Sequence, residues 1–300
     1  MNKHLGHMHV RTLSPQHVQA MLKQLGTEGY AAATIDRARD VLINALNQAV
    51  QWHMVPRNVA ALTPPPKVDG YEPRVLTPAE AQQLLHAAIG DRLEALWRVG
   101  LSLGLRRGEV LGLRWNDVDL EHGTLRIAVN LQRIDSKLVL VKPKTKASQR
   151  TLPLPASLIP VLRQHRIRQV HEQQLAGPQW QDHGLVFCTR GGTPIAPRNL
   201  LRSLHTLLDR AGLPRMRFHD LRHACATFLL AHGVPIKVVQ DLLGHTDARV
   251  TLGIYQHVVM EDRRHAAATM DVLLTAAQAD GGESARMDEK ALQVPEEETR

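Results

Sequence analysis

The chain has 300 residues, 43% of them hydrophobic and only 3% aromatic, with a formal charge of +8 and an isoelectric point near 9.9. That is enough chain for one large domain or two smaller ones. It holds no apolar run of membrane-spanning length and no signal-peptide apolar core, and its basicity favours a polyanionic partner.

In chain order, Ser14 to Leu25 predicts a helix, with Ser14 as N-cap, Pro15 in the first turn and Gly26 as terminator. A second helix is expected from Ala32 to His53, with Ile35, Val41, Leu42 and Leu46 on its apolar face; Arg37 and Arg39 lie off that face, solvated or touching phosphate. The stretch L-T-P-P-P-K-V-D-G-Y-E-P-R then breaks the pattern, because consecutive prolines cannot continue a helix. It sets a linker at 63–75, between a small helical domain at 1–62 and a larger domain at 76–278.

The larger domain opens with a capping box, Thr77 to Glu80, on a helix from Pro78 to Ala88. Helices follow at Arg92–Leu103 and from G-L-R-R-G-E to about Leu113. The period then changes to strand, and Ser136 to Leu154 reads as strand, basic turn, strand. Helix returns at Pro155–Gln174, a short strand at Leu185–Cys188, and helices from Pro197 onward. A further helix is expected at Glu261–Ala277, before a disordered acidic tail at 279–300. Helices around a small antiparallel sheet predict a mostly helical α+β fold. Cys188 and Cys225 sit in apolar patterns and read as buried thiols, which points to a reducing cytoplasm.

Several polar residues are awkward for packing alone. Arg106 stands between Leu105 and a helix start, where it either pairs with Glu109 on a surface turn or meets an anion. Lys142, Lys144 and Lys146 share one turn. His219 and Arg222 fall in the first turn of a helix, whose free N–H groups favour an anion, and His223 shares their face. His245 and Tyr255 flank a short helix, Tyr255 being either a core aromatic or a nucleophile. Two arginines, a lysine, two histidines and a tyrosine suit a phosphoryl transition state. The i, i+4 histidines lack a companion carboxylate or cysteine and the glutamate of H-E-x-x-H, so no metal is expected there, and His4, His7 and His9 are read the same way.

The stretches G-L-R-R-G-E-V-L-G-L-R-W, K-T-K-A-S-Q-R-T-L-P-L, H-D-L-R-H and L-G-H-T-D-A-R-V-T-L-G-I-Y-Q-H closely resemble the signature boxes of the tyrosine recombinases, the phage integrase family. The resemblance runs from about Arg11 to Leu273 and is strongest from Thr77 to Val258. It implies that Arg106, Lys144, His219, Arg222, His245 and Tyr255 are the catalytic set, with Tyr255 the nucleophile. It further implies a core-binding domain and a catalytic domain clamped on duplex DNA, a 3′-phosphotyrosyl intermediate, and no ATP, cofactor or metal. Expected partners are duplex DNA, other copies in a tetramer, with the segment after Tyr255 docking on a neighbour, and an accessory directionality factor. Relative to the family the first domain looks shortened. The function expected is integration or excision of a mobile element; the alternatives are a dimer-resolving recombinase of the same chemistry and a catalytically idle remnant that occupies recombination sites.

Overall fold

A computed structural model describes residues 2–66, 75–143 and 149–244, and the chain divides into two compact units, 1–72 and 73–300. In the first unit, α1 (Asn2–Leu5) precedes α2 (Pro15–Thr27) and α3 (Ala32–Gln51). Ser14 caps α2 as expected, and His17 returns the bond: the Ser14 hydroxyl accepts from His17 N at 3.4 Å while Ser14 N donates to His17 Nδ1 at 3.2 Å. Gly26 does not end this helix. It lies within it, and the chain turns at Gly29, where Tyr30 N reaches back to Leu25 O at 3.1 Å and Gly29 N to Gly26 O at 3.1 Å, satisfying the last carbonyls.

Val18, Met21 and Leu22 pack against Ile35 and Leu46 to form this unit's core, while Val41 is half exposed, on the rim of the face assigned to it. Arg39 is not simply solvated. Its Nε and Nη2 donate to the buried Thr63 carbonyl at 3.0 and 2.8 Å, tying the loop after α3 down onto the helix. Of the linker expected at 63–75, residues 67–74 lie outside the described residues.

The second unit contains α4 (Pro78–Ala87), α5 (Glu94–Leu103), α6 (Arg107–Leu111), α7 (Leu158–Ala176), α8 (Pro197–Arg210), α9 (Phe218–Ala231) and α10 (Ile236–Leu243). The Thr77–Glu80 capping box is present, with Thr77 N donating to Glu80 Oε2 at 2.9 Å. α5 is the hub: Ala95, Leu96, Trp97, Val99 and Gly100 are all buried, and Trp97 packs on Phe218 of α9 with ring centroids 6.5 Å apart. The one polar stripe of α5, Glu94, Arg98 and Ser102, faces away from the core, with Arg98 Nε on Glu94 Oε1 at 3.1 Å.

Among the described residues, five strands make two antiparallel sheets: β1 (Val118–Asp119), β2 (Thr124–Ile127) and β5 (Arg150–Pro153) in one, β3 (Asn130–Ile134) and β4 (Lys137–Val141) in the other. The β3–β4 turn is Asp135–Ser136, both at positive φ, which matches the right-handed twist of a two-residue hairpin. β5 pairs with β2 and not with β4, so the basic segment between them connects two different sheets. The strand expected at Leu185–Cys188 is not a strand. Only single bridges form there, Arg114 to Leu185 and Cys188 to Pro194, and Val186 N is taken by Leu113 O at 2.8 Å. The apolar run signalled burial, which is correct, since Leu185, Val186 and Phe187 are fully buried. Among the described residues no helix is long and apolar enough to cross a membrane. The helix expected at Glu261–Ala277 and the tail at 279–300 lie outside the described residues.

Candidate active site

Two arginines from two elements share one carboxylate, and a third lies buried close by. Arg106, the N-cap of α6, donates through Nη1 to Glu109 Oε1 at 2.9 Å, and its own N–H bonds Glu109 Oε2 at 2.9 Å. Arg150, opening β5, bonds both oxygens of Glu109 at 3.2 and 3.1 Å. Arg222, on α9, is 1% exposed and donates to Gly104 O at 2.7 Å and Leu243 O at 2.8 Å. The Arg106–Glu109 pair expected as an alternative is therefore real. It is no surface pair, because Glu109 is 4% exposed and shared.

Three guanidiniums against one carboxylate leave a net charge of +2. Burial alone would raise the Glu109 carboxyl, but the bonds and charge of Arg150, then those of Arg106, hold it below the usual carboxylate value. Arg222 has no such relief. Burial, then Arg106, pulls its pKa down to about 9, against the pull of Glu109, so it is still cationic at neutral pH. Its Nε is buried without a hydrogen-bond partner among the described residues, which leaves a donor of this cation unused there.

The placement of Arg222 depends on Gly104, which ends α5 at φ 58. A Cβ there would collide with Leu243 and press on Cys225 Sγ at 3.2 Å, so only glycine lets α5 end directly beneath α9 and α10. Its carbonyl then faces Arg222.

His219 follows the α9 N-cap by two residues, and its ring meets that of His223 edge-on at 4.8 Å. One side of it remains open to a cavity of about 950 Å³ that it shares with Arg106, Arg107, Arg133 and Arg198, while the rest is covered by protein. Loss of water around the ring, then His223, Arg222 and Arg217, lowers its pKa to about 4, so it is neutral at pH 7. The α9 N-terminus already holds a carboxylate: Asp220, fully buried, accepts from Arg217 N at 2.8 Å. Burial likewise keeps Cys188 and Cys225 protonated as free thiols, Cys225 at about 12.

Of the six expected site residues, Arg106, His219 and Arg222 lie near one another. Lys144, His245 and Tyr255 lie outside the described residues, as does Lys146. Sequence reasoning missed Arg150 and the role of Glu109. The available signal was a charged residue opening a short strand whose next inward position, Leu152, is core.

The pattern of the phage integrase family matches residues 74–262. A XerC-like tyrosine recombinase of Caldanaerobacter subterraneus subsp. tengcongensis is 34% identical over 91% of this chain and 74% of its own length. An integrase of Saccharopolyspora erythraea is 27% identical over 82% of this chain and 68% of its own. Among solved structures, the Tn1549 transposon integrase in complex with transposon right end DNA superposes with a TM-score of 0.74 over 88% of each chain at 20% identity. A λ integrase tetramer bound to a Holliday junction superposes with a TM-score of 0.59 over 84% of this chain and 67% of that one, at 19% identity.

Proposed function

The chain belongs to the phage integrase family, the tyrosine-type site-specific DNA recombinases, and from that membership we propose that it cuts and rejoins duplex DNA at the ends of a mobile element. The observation that carries the reading is the +2 cluster in which Arg106 and Arg150 share Glu109 and Arg222 lies buried close by, beside a neutral His219. A phosphodiester under attack becomes a pentavalent dianion, and preorganised guanidiniums stabilise that charge with no metal.

In this mechanism Tyr255 attacks phosphorus and the neutral imidazole of His219 accepts the tyrosyl proton. Arg106 and Arg222 hold the non-bridging oxygens, and His245 adds a donor. The bond to the 5′-oxygen breaks, Lys144 protonates that oxygen, and a 3′-phosphotyrosyl link remains. A 5′-hydroxyl from a second duplex reverses the step with no loss of phosphoester bonds, so no ATP is consumed. Residues 1–62 would be the core-binding domain and 76–278 the catalytic domain. The working form would be a tetramer on two sites in the cytoplasm, aided by a directionality factor; the λ integrase tetramer on its junction supports the assembly.

The Saccharopolyspora erythraea integrase among the relatives favours mobile-element ends. Resolution of replicon dimers is the second reading, favoured by the XerC-like relative at 34% identity. One experiment addresses both. The chain is incubated with a random-sequence duplex library carrying nicks, denaturant-stable protein–DNA adducts are captured, and the captured sites are located in the source genome. Sites at the borders of an element support the first reading, and a single replicon site supports the second. Tyr255→Phe should bind the captured duplex with unchanged affinity and form no adduct, while the wild type should react fully in excess chelator. An adduct that persists in Tyr255→Phe, or activity restored only by added metal, would overturn the mechanism.

A further inference from the structure

The last three carbonyls at the end of α10 are each taken by a different guanidinium: Leu242 O by Arg150 Nε at 2.7 Å, Leu243 O by Arg222 Nη2 at 2.8 Å, and Gly244 O by Arg106 Nη2 at 2.6 Å. The final carbonyls of a helix have no partner within it and carry the negative end of its dipole, so cations belong there. Here those cations include the two arginines that the proposed mechanism sets on the phosphate. Of the three, Arg150 is the one that the proposed mechanism does not set on the substrate.

Its position is built rather than incidental. The side chain is 8% exposed and holds both oxygens of Glu109 while its Nε holds α10. Gly244 lies against the guanidinium so closely that a Cβ would stand 2.9 Å from Nη1 and 3.1 Å from Cζ. In the sequence, Arg150 stands six residues after Lys144, and Leu242 stands three before His245. One planar fork therefore ties the strand that follows the lysine segment to the helix end that leads into the histidine and tyrosine segment. The same fork shares Glu109 with Arg106. With Arg150 absent, the carboxylate would neutralise Arg106 alone, and the charge aimed at the phosphate would fall.

We propose that Arg150 is a positioning residue for strand cleavage: through Glu109 it sets the orientation and free charge of Arg106, and through Leu242 it fixes the α10 terminus from which the nucleophile-bearing segment departs. The proposal rests on the recombinase reading. It differs from a purely structural bridge between β5 and α10, which would lower stability and leave the rate of the folded, DNA-saturated protein unchanged. A lysine cannot replace the fork, because one ammonium cannot span both Glu109 oxygens and the Leu242 carbonyl in this geometry.

The test uses the full chain and the duplex captured as above, with Arg150→Lys and Arg150→Ala. Melting temperature, duplex affinity and the single-turnover rate of adduct formation at saturating duplex are measured for each. The expected result is affinity within about threefold of wild type and a saturating rate lower by about 100-fold, the scale of a small misplacement of reacting groups. In a background of Glu109→Gln, the loss on adding Arg150→Lys should be much smaller, since both changes remove one shared interaction. A folded Arg150→Lys that forms adduct at the wild-type saturating rate overturns the proposal, as does a loss confined to affinity. Additive losses with Glu109→Gln overturn the route through Glu109. Should Arg150→Ala fail to fold, the lysine variant, which keeps the charge beside Glu109, decides the matter. A wild-type chain that forms no adduct with any duplex overturns the recombinase reading, and the proposal with it. An active wild type with an unaffected Arg150→Lys overturns the proposal alone.

Discussion

Lys142, Lys144 and Lys146 stand within five residues of one another, and leaving-group chemistry separates them. A departing alkoxide needs a proton, whereas a thiolate, with a pKa of about 8.5 by analogy with cysteine, does not. Lys144→Ala should therefore slow cleavage of ordinary DNA strongly and cleave a 5′-bridging phosphorothioate at nearly the wild-type rate; rescue of Lys142→Ala or Lys146→Ala instead would move the role. His219 gives a pH-dependence with a definite sign. Its folded pKa, about 4, lies below the unfolded value of about 6.5. Between those values the unfolded chain binds a proton that the folded chain refuses, so stability falls as pH drops through this window. His223, Arg222 and Arg217 oppose the protonated form and Asp220 favours it. Urea melts of His219→Gln should show a shallower acid loss than wild type between pH 6.5 and 4; identical curves would remove His219 as the cause.

At the scale of elements, local signals were reliable where the chemistry is local. The Thr77–Glu80 box and the Ser14 cap need only residues three apart, and both form as read. Leu185–Cys188 misled because a short apolar run reports burial, not pairing, and its backbone partners come from Leu113, Arg114 and Pro194. Gly104 is the element-scale residue with the sharpest consequence. Gly104→Ala adds a side chain at positive φ and drives it into Leu243, which together should lower stability by about 2–4 kcal/mol. The carbonyl that holds Arg222 would shift too, so the variant that remains folded at low temperature should still form adduct more slowly than wild type. Chemical denaturation and adduct assays at one temperature check both effects; a loss of stability without a loss of rate would detach Arg222 from this turn.

For the whole molecule, the net charge of +8 becomes specific once the cavity lined by Arg106, Arg107, Arg133, Arg198 and His219 is seen. If Arg133 and Arg198 contact phosphates, each change to alanine should make the dependence of log affinity on log salt shallower by about 0.9, with cleavage at saturating duplex retained. An unchanged slope in both variants would assign the cavity to something other than the DNA backbone. What the sequence determined by itself was the α+β class, the caps and most helices, and the motifs that mark the family, because these depend on residue type and short spacing. It also marked Arg106, His219 and Arg222 as candidates. Only the tertiary structure revealed Arg150 as their neighbour, turned the Arg106–Glu109 pair from a surface contact into a shared buried one, and put three arginines on successive carbonyls of α10. Those bonds join residues from 21 to 138 positions apart, and no periodicity in a chain encodes a contact across that distance. It follows only from how α5, α6, α9, α10 and β5 pack on one core, and that packing sets the balance of charge on which the chemistry depends.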